Sequence, residues 1–417
     1  MANMSPTGAA AAAVSGDQHQ RHPLAFGVMT SVFFMWGFIT CLNDILIPHL
    51  KGSFNLSYTQ AMLIQFCFFG AYFICSIPAG KLLHRVGYKH GVIIGLCIAG
   101  VGALMFYPAA EYQTYGLFLG ALFVLASGIT LLQVAANPYV VALGPPATSA
   151  SRLNLAQAFN SLGTTVAPII GGALIFTGLE SATSAADAES VKMPYVGLAL
   201  ALIAIAAVFS FIKMPTLKDA EEEDKDAATL SEALANPHLF YGVLAIFLYV
   251  GGEVAIGSFL VNFLGQSDVV GLAEASAANY VALYWGGAMV GRFIGSALMT
   301  RVAPGFLLGI HAALAVLLVG TAATSNGTLA MYAILSVGLC NSIMFPTIFS
   351  LSLQGLGRLA SAGSSLLCLA IVGGALVPLL QGVVADAAGL RVGFIIPIFC
   401  YIYIFWYGLK GSKIAAS

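Results

Sequence analysis

Stretches of about twenty predominantly apolar residues follow one another along this chain, separated by short polar segments. A helix of that length spans the hydrocarbon core of a bilayer, because each residue adds about 1.5 Å to a core about 30 Å thick. Charged residues make up only 8% of the chain, against about 25% in soluble domains. This small number of charges cannot cover a water-facing surface. The sequence therefore predicts an all-α membrane protein whose exterior contacts lipid.

Twelve transmembrane helices can be drawn through the apolar stretches. The predicted ranges are 24–50, 58–83, 89–109, 115–143, 152–177, 194–213, 238–265, 274–300, 304–323, 328–356, 361–387 and 391–410. A charged segment, DAEEEDKD at 219–226, lies between the sixth and the seventh helix and has the composition of a solvated linker.

This segment divides the chain into two halves of six helices. We therefore expect a disordered cytoplasmic tail, two six-helix bundles, a cytoplasmic linker between them, and a second short tail. Their predicted ranges are 1–23 for the first tail, 24–213 and 238–410 for the bundles, 214–237 for the linker and 411–417 for the second tail.

The distribution of basic residues orients these helices. With both termini placed in the cytoplasm, thirteen of the sixteen Lys and Arg residues fall on the cytoplasmic side. Only Lys51, Lys192 and Arg391 fall outside. Short cytoplasmic loops of membrane proteins carry such an excess of positive charge, so the pattern favours cytoplasmic termini and supports the count of twelve helices.

The two halves resemble each other in sequence. A basic loop follows the second helix at 80–91, and a similar one follows the eighth at 291–305. Aligning Pro138 in the fourth helix with Pro346 in the tenth places Gln133 opposite Asn341. Two-bundle transporters are built from such repeats and hold their substrate near the middle of the membrane between them. We therefore predict two pseudo-symmetric bundles.

The first helix contains one carboxylate, Asp44, with Asn43 beside it and no Lys or Arg within the apolar run. A charged residue inside a bilayer is costly and usually faces a polar cavity. An alternative is that Asp44 lies near the helix end and reaches the headgroups. The second half has one comparable acid, Glu253 in the seventh helix. We expect both acids to take part in coupling to an ion.

Intramembrane amides and neighbouring polar groups follow helical spacing, and each set therefore shares one face of its helix. Unpaired amides facing lipid would be costly, so these faces are expected to point inward, where they bind substrate or hold helices together. The candidate substrate-binding residues are Trp36, Asn43, Gln133, Asn137, Gln157, Asn160, Asn262 and Asn341.

This chemistry suits a sugar, because neutral carboxamides supply both donors and acceptors for hydroxyl groups. A carrier of organic anions would need buried cations, but every intramembrane Arg is predicted at a helix end. The sequence contains no P-loop, GxSxG or HExxH motif, and its seven cysteines form no CxxC pair. We expect no enzyme activity, no metal site and no cofactor.

Several longer motifs resemble the fucose and glucose/galactose permease branch of the Major Facilitator Superfamily. They are LNDILIP at 42–48, IPAGKLLHRVGYKHG at 77–91, QVAANPYV at 133–140, RLNLAQAFNSLG at 152–163, YVGGEVAIGSFLV at 249–261 and FPTIFSLSLQGLG at 345–357. The resemblance implies twelve helices, alternating access and cation-coupled uptake of a monosaccharide across a bacterial inner membrane. It places the coupling acid at Asp44 and a substrate amide at Asn160.

The basic loops after the second and eighth helices are the candidates for gating. The residues concerned are Gly80, Arg85, Gly87, Lys89, Arg292 and Arg301. In the first of these loops the superfamily usually carries Asp where this chain has His84. Fucose permeases also differ, with Glu at the position of Gln133 and Gln at that of Glu253. This pattern places the chain nearer the glucose/galactose members.

These observations predict a hexose symporter, acting as a monomer and driven by H⁺, with Na⁺ as the alternative coupling ion. Fucose and N-acetylglucosamine are alternative substrates. A membrane sugar sensor without net flux is a competing class, although a sensor would carry a larger cytoplasmic domain. A facilitator without ion coupling is a further alternative, against which Asp44 argues. Lipid and a monosaccharide are the expected partners, and nucleic acid is not expected.

Overall fold

A computed structural model describes residues 23–53, 58–176, 192–212, 229–272 and 274–413. Within these ranges, side chains are not described for 41–53, 58–65, 168–176, 274–275 and 278–279.

Six helices form the first half. They are α1 (Pro23–Ser53), α2 and α3 (the two parts of Tyr58–Glu111), α4 (Tyr115–Ala142), α5 (Ser149–Phe176) and α6 (Lys192–Phe211). The helical segment Tyr58–Glu111 changes direction at Gly87, whose φ of 76° and ψ of 165° lie outside the helical region. A residue without a Cβ adopts that conformation at little cost, so Gly87 ends α2 and begins α3.

Six more helices form the second half. They are α7 (Pro237–Gly265), α8 (Glu274–Leu298), α9 (Pro304–Thr324), α10 (Gly327–Leu353), α11 (Gly357–Ala388) and α12 (Leu390–Gly411). These twelve helices are the predicted ones, and no predicted end differs from the observed end by more than four residues.

Three of these helices are not continuous. α10 turns at 342–343, between Gly327–Asn341 and Met344–Leu353, and α11 tightens into a 3₁₀ turn at Ala370–Val372. α12 ends in a π-helical turn, Tyr407–Gly411. The breaks in α10 and α11 lie in the middle of each span, where interrupted helices commonly line transport sites.

The end of the predicted linker is folded. A short linker helix, Leu230–Ala235, begins with a capping box in which Thr229 and Glu232 each satisfy the other's backbone N–H. Glu232 also accepts a hydrogen bond from Arg358 at 3.2 Å, at the start of α11. Residues 1–22, 213–228 and 414–417, which include most of the predicted tails and linker, lie outside the described ranges.

The outside of the bundle is apolar. Large side chains such as Phe73 (54% exposed), Leu200 (61%), Leu317 (65%) and Phe399 (63%) point away from the protein. They lie on helices of both halves, and apolar surface on this scale is stable only against lipid.

The halves meet on one side of the membrane. This side carries Gly87, the α4–α5 connection and the linker helix, and we call it the linker side. Ser151 of α5 donates to the carbonyl of Ser296 in α8 at 2.7 Å, and the Ser296 hydroxyl donates to the carbonyl of Ser151 at 2.9 Å. Nearby, the amide of Asn154 donates to the hydroxyl of Thr347 in α10 at 3.1 Å. These contacts join the bundles between the linker side and the middle of the membrane.

Candidate functional site between the two halves

A tyrosine–amide pair lies in the middle of the first half. The Gln133 amide nitrogen of α4 donates to the Tyr72 hydroxyl of α2 at 2.6 Å. Gln133 is 5% exposed, and its amide oxygen has no hydrogen-bond partner. Because a buried acceptor without a donor is costly, this oxygen is available to a bound hydroxyl.

The second half contains the same pair at the equivalent place. The Asn341 amide nitrogen of α10 donates to the Tyr284 hydroxyl of α8 at 2.7 Å. Asn341 is fully buried, and its amide oxygen also lacks a partner. The sequence repeat places Gln133 opposite Asn341, and in the structure each amide donates to a tyrosine from the corresponding helix of its own half.

Two prolines create acceptors beside these amides. Proline cannot donate a backbone hydrogen bond to the carbonyl four residues earlier. Pro138 therefore leaves the carbonyl of Val134 free, and this carbonyl accepts from the Ser364 hydroxyl of α11 at 2.8 Å. Pro346 likewise leaves the carbonyl of Ser342 free.

Arg292 of α8 uses that second carbonyl and reaches across to the first half. Its Nε donates to the carbonyl of Ser342 at 3.0 Å. One terminal nitrogen donates to the carbonyl of Gln157 in α5 at 3.4 Å and to the Ser161 hydroxyl. The sequence placed Arg292 at a helix end, but it lies six residues, about 9 Å, inside α8. It is a bridge between the halves rather than a loop residue.

A buried polar cluster surrounds Glu253 in the second half, which we call the Glu253 cluster. It comprises Glu253 and Tyr249 of α7, Tyr284 and Arg292 of α8, Asn341 of α10 and Tyr401 of α12. Tyr249 donates to the carbonyl of Asn341 at 3.1 Å, and Tyr284 donates to the carbonyl of Glu253 at 3.4 Å. One carboxylate oxygen of Glu253 is buried without a hydrogen-bond partner.

The predicted amides of α5 and α4 contact neighbouring helices. Asn160 donates to the carbonyl of Phe33 in α1 at 3.0 Å. α1 approaches closely here because residue 37 is glycine, where a Cβ would lie 2.0 Å from the Asn160 carbonyl oxygen. Gln157 donates to the side-chain oxygen of Asn137 at 3.4 Å. These amides therefore hold helices together in this state, whatever else they bind.

Other predicted site residues lie apart from these groups. Trp36 is 6% exposed and packs against Phe33, with ring centroids 5.3 Å apart. Asn262 is exposed three residues before the end of α7, about 14 Å along the helix from Glu253. The side chains of Asn43 and Asp44 lie outside the described part of the chain.

The predicted gating residues of the first basic loop lie on the linker side. The carbonyl of Gly80 accepts from the Ser361 hydroxyl of α11 at 3.3 Å. Lys89 donates to the carbonyl of Ser210 in α6 at 2.8 Å. Arg85 is exposed, as is Arg301 at the corresponding loop of the second half. Gly80 thus touches the opposite half, as Arg292 does from the second half.

The sequence did not single out Tyr72 or Tyr401. Both are almost completely buried within apolar helices. A buried tyrosine hydroxyl usually finds a hydrogen-bond partner. A tyrosine inside a predicted transmembrane helix therefore indicates a polar contact, and both residues could have been identified in this way. The contact of Arg292 with the opposite half was harder to predict from the sequence, because it depends on how α5 and α8 pack.

Comparison with known proteins identifies relatives over nearly the whole chain. A "Glucose/galactose transporter" of Brucella abortus biovar 1 (strain 9-941) is 57% identical over 394 residues, which cover 94% of this chain and 95% of that one. An "L-fucose-proton symporter" of Escherichia coli (strain K12) is 35% identical over 420 residues, covering 96% of each chain.

Solved structures agree with this relationship. The crystal structure of the transporter FucP in the outward conformation superposes with a TM-score of 0.87 at 35% identity, covering 93% of this chain and 99% of that one. The family model described as Major Facilitator Superfamily matches residues 24–371. The two six-helix halves, the repeat and these matches place the chain among transporters rather than enzymes, and it belongs to the Major Facilitator Superfamily.

Proposed function

We propose that this chain is a secondary active transporter that imports a hexose such as glucose or galactose by proton symport through alternating access. The observation that carries the proposal is the pair of symmetry-related amides, Gln133 and Asn341. Each donates to a buried tyrosine and retains one carbonyl oxygen without a donor. A sugar between the halves offers the hydroxyl donors that both oxygens lack.

The position of the two amides supports a site near the middle of the membrane. Gln133 lies nine residues from the linker-side end of α4, about 14 Å, and Asn341 lies twelve residues from that end of α10, about 18 Å. A hydrocarbon core is about 30 Å thick, so both are near its centre. Each also neighbours a backbone carbonyl that accepts from another helix, Val134 in α4 and Ser342 in α10. A change at the sugar would therefore reach the contacts between helices directly.

We further propose that the protein lies in a bacterial inner membrane as a monomer, with the linker side and both termini in the cytoplasm. The excess of basic residues on that side supports this orientation. Because the halves are joined on the linker side, the described conformation would then open outward. The solved relative described as outward is consistent with this view.

The substrate is best identified by counterflow. Purified protein in liposomes preloaded with unlabelled monosaccharide should take up labelled sugar only when the internal sugar is a substrate. We expect glucose and galactose to support exchange, with fucose and N-acetylglucosamine as the alternatives in the panel. If the protein were a sensor, binding would be measurable but no sugar would support exchange.

Gln133→Ala and Asn160→Ala should each weaken sugar binding. Removing a group that bonds a buried hydroxyl costs about 1–3 kcal/mol, so we expect affinity to fall by about ten- to a hundredfold. Isothermal calorimetry on purified protein measures this directly. Gln113→Gly is a suitable control, because Gln113 is exposed in a loop and its φ of 46° suits glycine. Unchanged affinity together with a lower melting temperature would make both amides purely structural.

A further inference from the structure

The Glu253 cluster contains more unpaired buried acceptors than unpaired donors. One carboxylate oxygen of Glu253 and the amide oxygen of Asn341 both lack partners, as does the hydroxyl of Tyr401. Asn341 and Tyr401 are fully buried. Tyr401 faces Glu253, Tyr249, Tyr284 and Asn341, so the unpaired groups belong to one cluster. Native proteins rarely leave such groups unpaired. The Tyr401 O–H can donate to one of the two acceptors, so the other still lacks a donor.

A proton supplies that donor. An ionised carboxylate only accepts hydrogen bonds, whereas a protonated one also donates through its O–H. In the state without sugar, a proton on Glu253 would add the second donor that these two acceptors need. It would also remove a charge that makes no salt bridge among the described residues. Among the residues that the structure describes, no group of three or more His, Cys, Asp or Glu residues is placed to hold a metal ion.

Arg292 connects this site to the contact between the halves. It lies near the carboxylate of Glu253, while its guanidinium bonds the carbonyl of Gln157 and the hydroxyl of Ser161 in the opposite half. An ionised Glu253 would attract this guanidinium away from α5. A protonated Glu253 would leave the contacts of Arg292 with α5 unopposed.

We propose that Glu253 is a second proton-binding site, and that through Arg292 its proton favours the state in which the halves are joined on the linker side. The ionisable groups that face it are Tyr249 of its own helix, Arg292 and Tyr284 of α8, and Tyr401 of α12. Cys340 of α10 faces Tyr284. Among these, Arg292 is the group that reaches the other half.

Linkage gives the direction of coupling. If a proton favours the joined state, the joined state must bind the proton more tightly than the state opened on the linker side. Opening the linker side then frees Arg292 for Glu253 and expels the proton on that side. Resting on the proposed orientation and function, this would load a proton from outside and release it in the cytoplasm.

The test measures opening of the linker side without sugar and without a gradient. Spin labels on unnatural amino acids at the exposed positions His84 and Thr300, one in each half, report the distance in nanodiscs and leave the native cysteines unlabelled. All proteins carry Asp44→Asn, which removes the first acid. Between pH 6 and pH 8 we expect the ratio of joined to open protein to fall by about tenfold, corresponding to one unit of difference in proton affinity.

Glu253→Gln should abolish this pH response and leave the halves joined. Arg292→Gln should also abolish it, because the carboxylate would lose its connection to α5. The proposal is overturned if the response persists in either variant, or if the protein with Glu253 intact shows none. It is also overturned if sodium at constant pH replaces the effect of the proton. None of these outcomes depends on which sugar is carried, so failure of the proposed substrate would be seen separately in counterflow.

Discussion

Asp44→Asn is expected to abolish accumulation of sugar against a gradient while leaving exchange largely intact. The reason is that Asp44 is the carboxylate of an otherwise apolar stretch without Lys or Arg, and an acid in that position normally binds the coupling ion. An amide of the same shape can still contact the sugar but cannot exchange a proton. Uptake into energised vesicles and counterflow in liposomes measure the two activities on the same protein.

Asp386→Asn is the matched control for this experiment. Asp386 is exposed near the end of α11, on the side away from the linker, so its replacement should leave accumulation unchanged. If Asp44→Asn still concentrates sugar to the extent of the unmodified protein, Asp44 does not couple the ion. In that case Glu253 becomes the remaining intramembrane acid identified from the sequence.

Gly80→Val is expected to prevent closure on the linker side. A Cβ at Gly80 would lie 1.8 Å from the Ser365 hydroxyl of α11, across the contact between the halves. Overpacking of this kind costs about 1–3 kcal/mol, equivalent to a shift of about five- to 150-fold toward the open state. Because this contact lies between the halves, folding of each bundle should be preserved. Labels at His84 and Thr300 would report the longer distance, and transport should slow by at least about fivefold.

Gly120→Val controls for adding a branched side chain to a membrane helix. A Cβ at Gly120 of α4 meets nothing within 4 Å, so the substitution should leave both distance and transport unchanged. If Gly80→Val keeps the distance of the unmodified protein and transports at its rate, contact between α2 and α11 does not limit closure. Gly80 belongs to the basic-loop motif in the sequence. The expected effect of its substitution comes from its close approach to Ser365 of α11.

The helices could be predicted from the sequence because the length of an apolar run is a local property. The equivalence of Gln133 and Asn341 could also be predicted, since aligning Pro138 with Pro346 is enough to reveal it. Contacts between distant helices could not be predicted from the sequence. Tyr72 lies 61 residues from Gln133, and Arg292 lies 131 residues from Ser161. These pairs depend on how helices tilt and pack, which helical spacing alone does not determine.

The break in α10 shows where a local signal was present but incomplete. Pro346 predicts a free carbonyl four residues earlier, yet the predicted helix ran without interruption from 328 to 356. In the structure the helix turns at 342–343, and the carbonyl of Ser342 bonds Arg292. Proline identifies the acceptor from sequence, whereas the donor that uses it comes from another helix.

The identity of the coupling ion is the central claim, and one measurement tests it most directly. Vesicles containing the purified protein are prepared without sodium, and a pH gradient, acid outside, is imposed in the presence of labelled sugar. Proton symport predicts uptake above the level reached without the gradient, and collapse of that uptake when a protonophore is added. Uptake that requires a sodium gradient and is indifferent to pH would contradict proton coupling and would make Asp44 a sodium ligand.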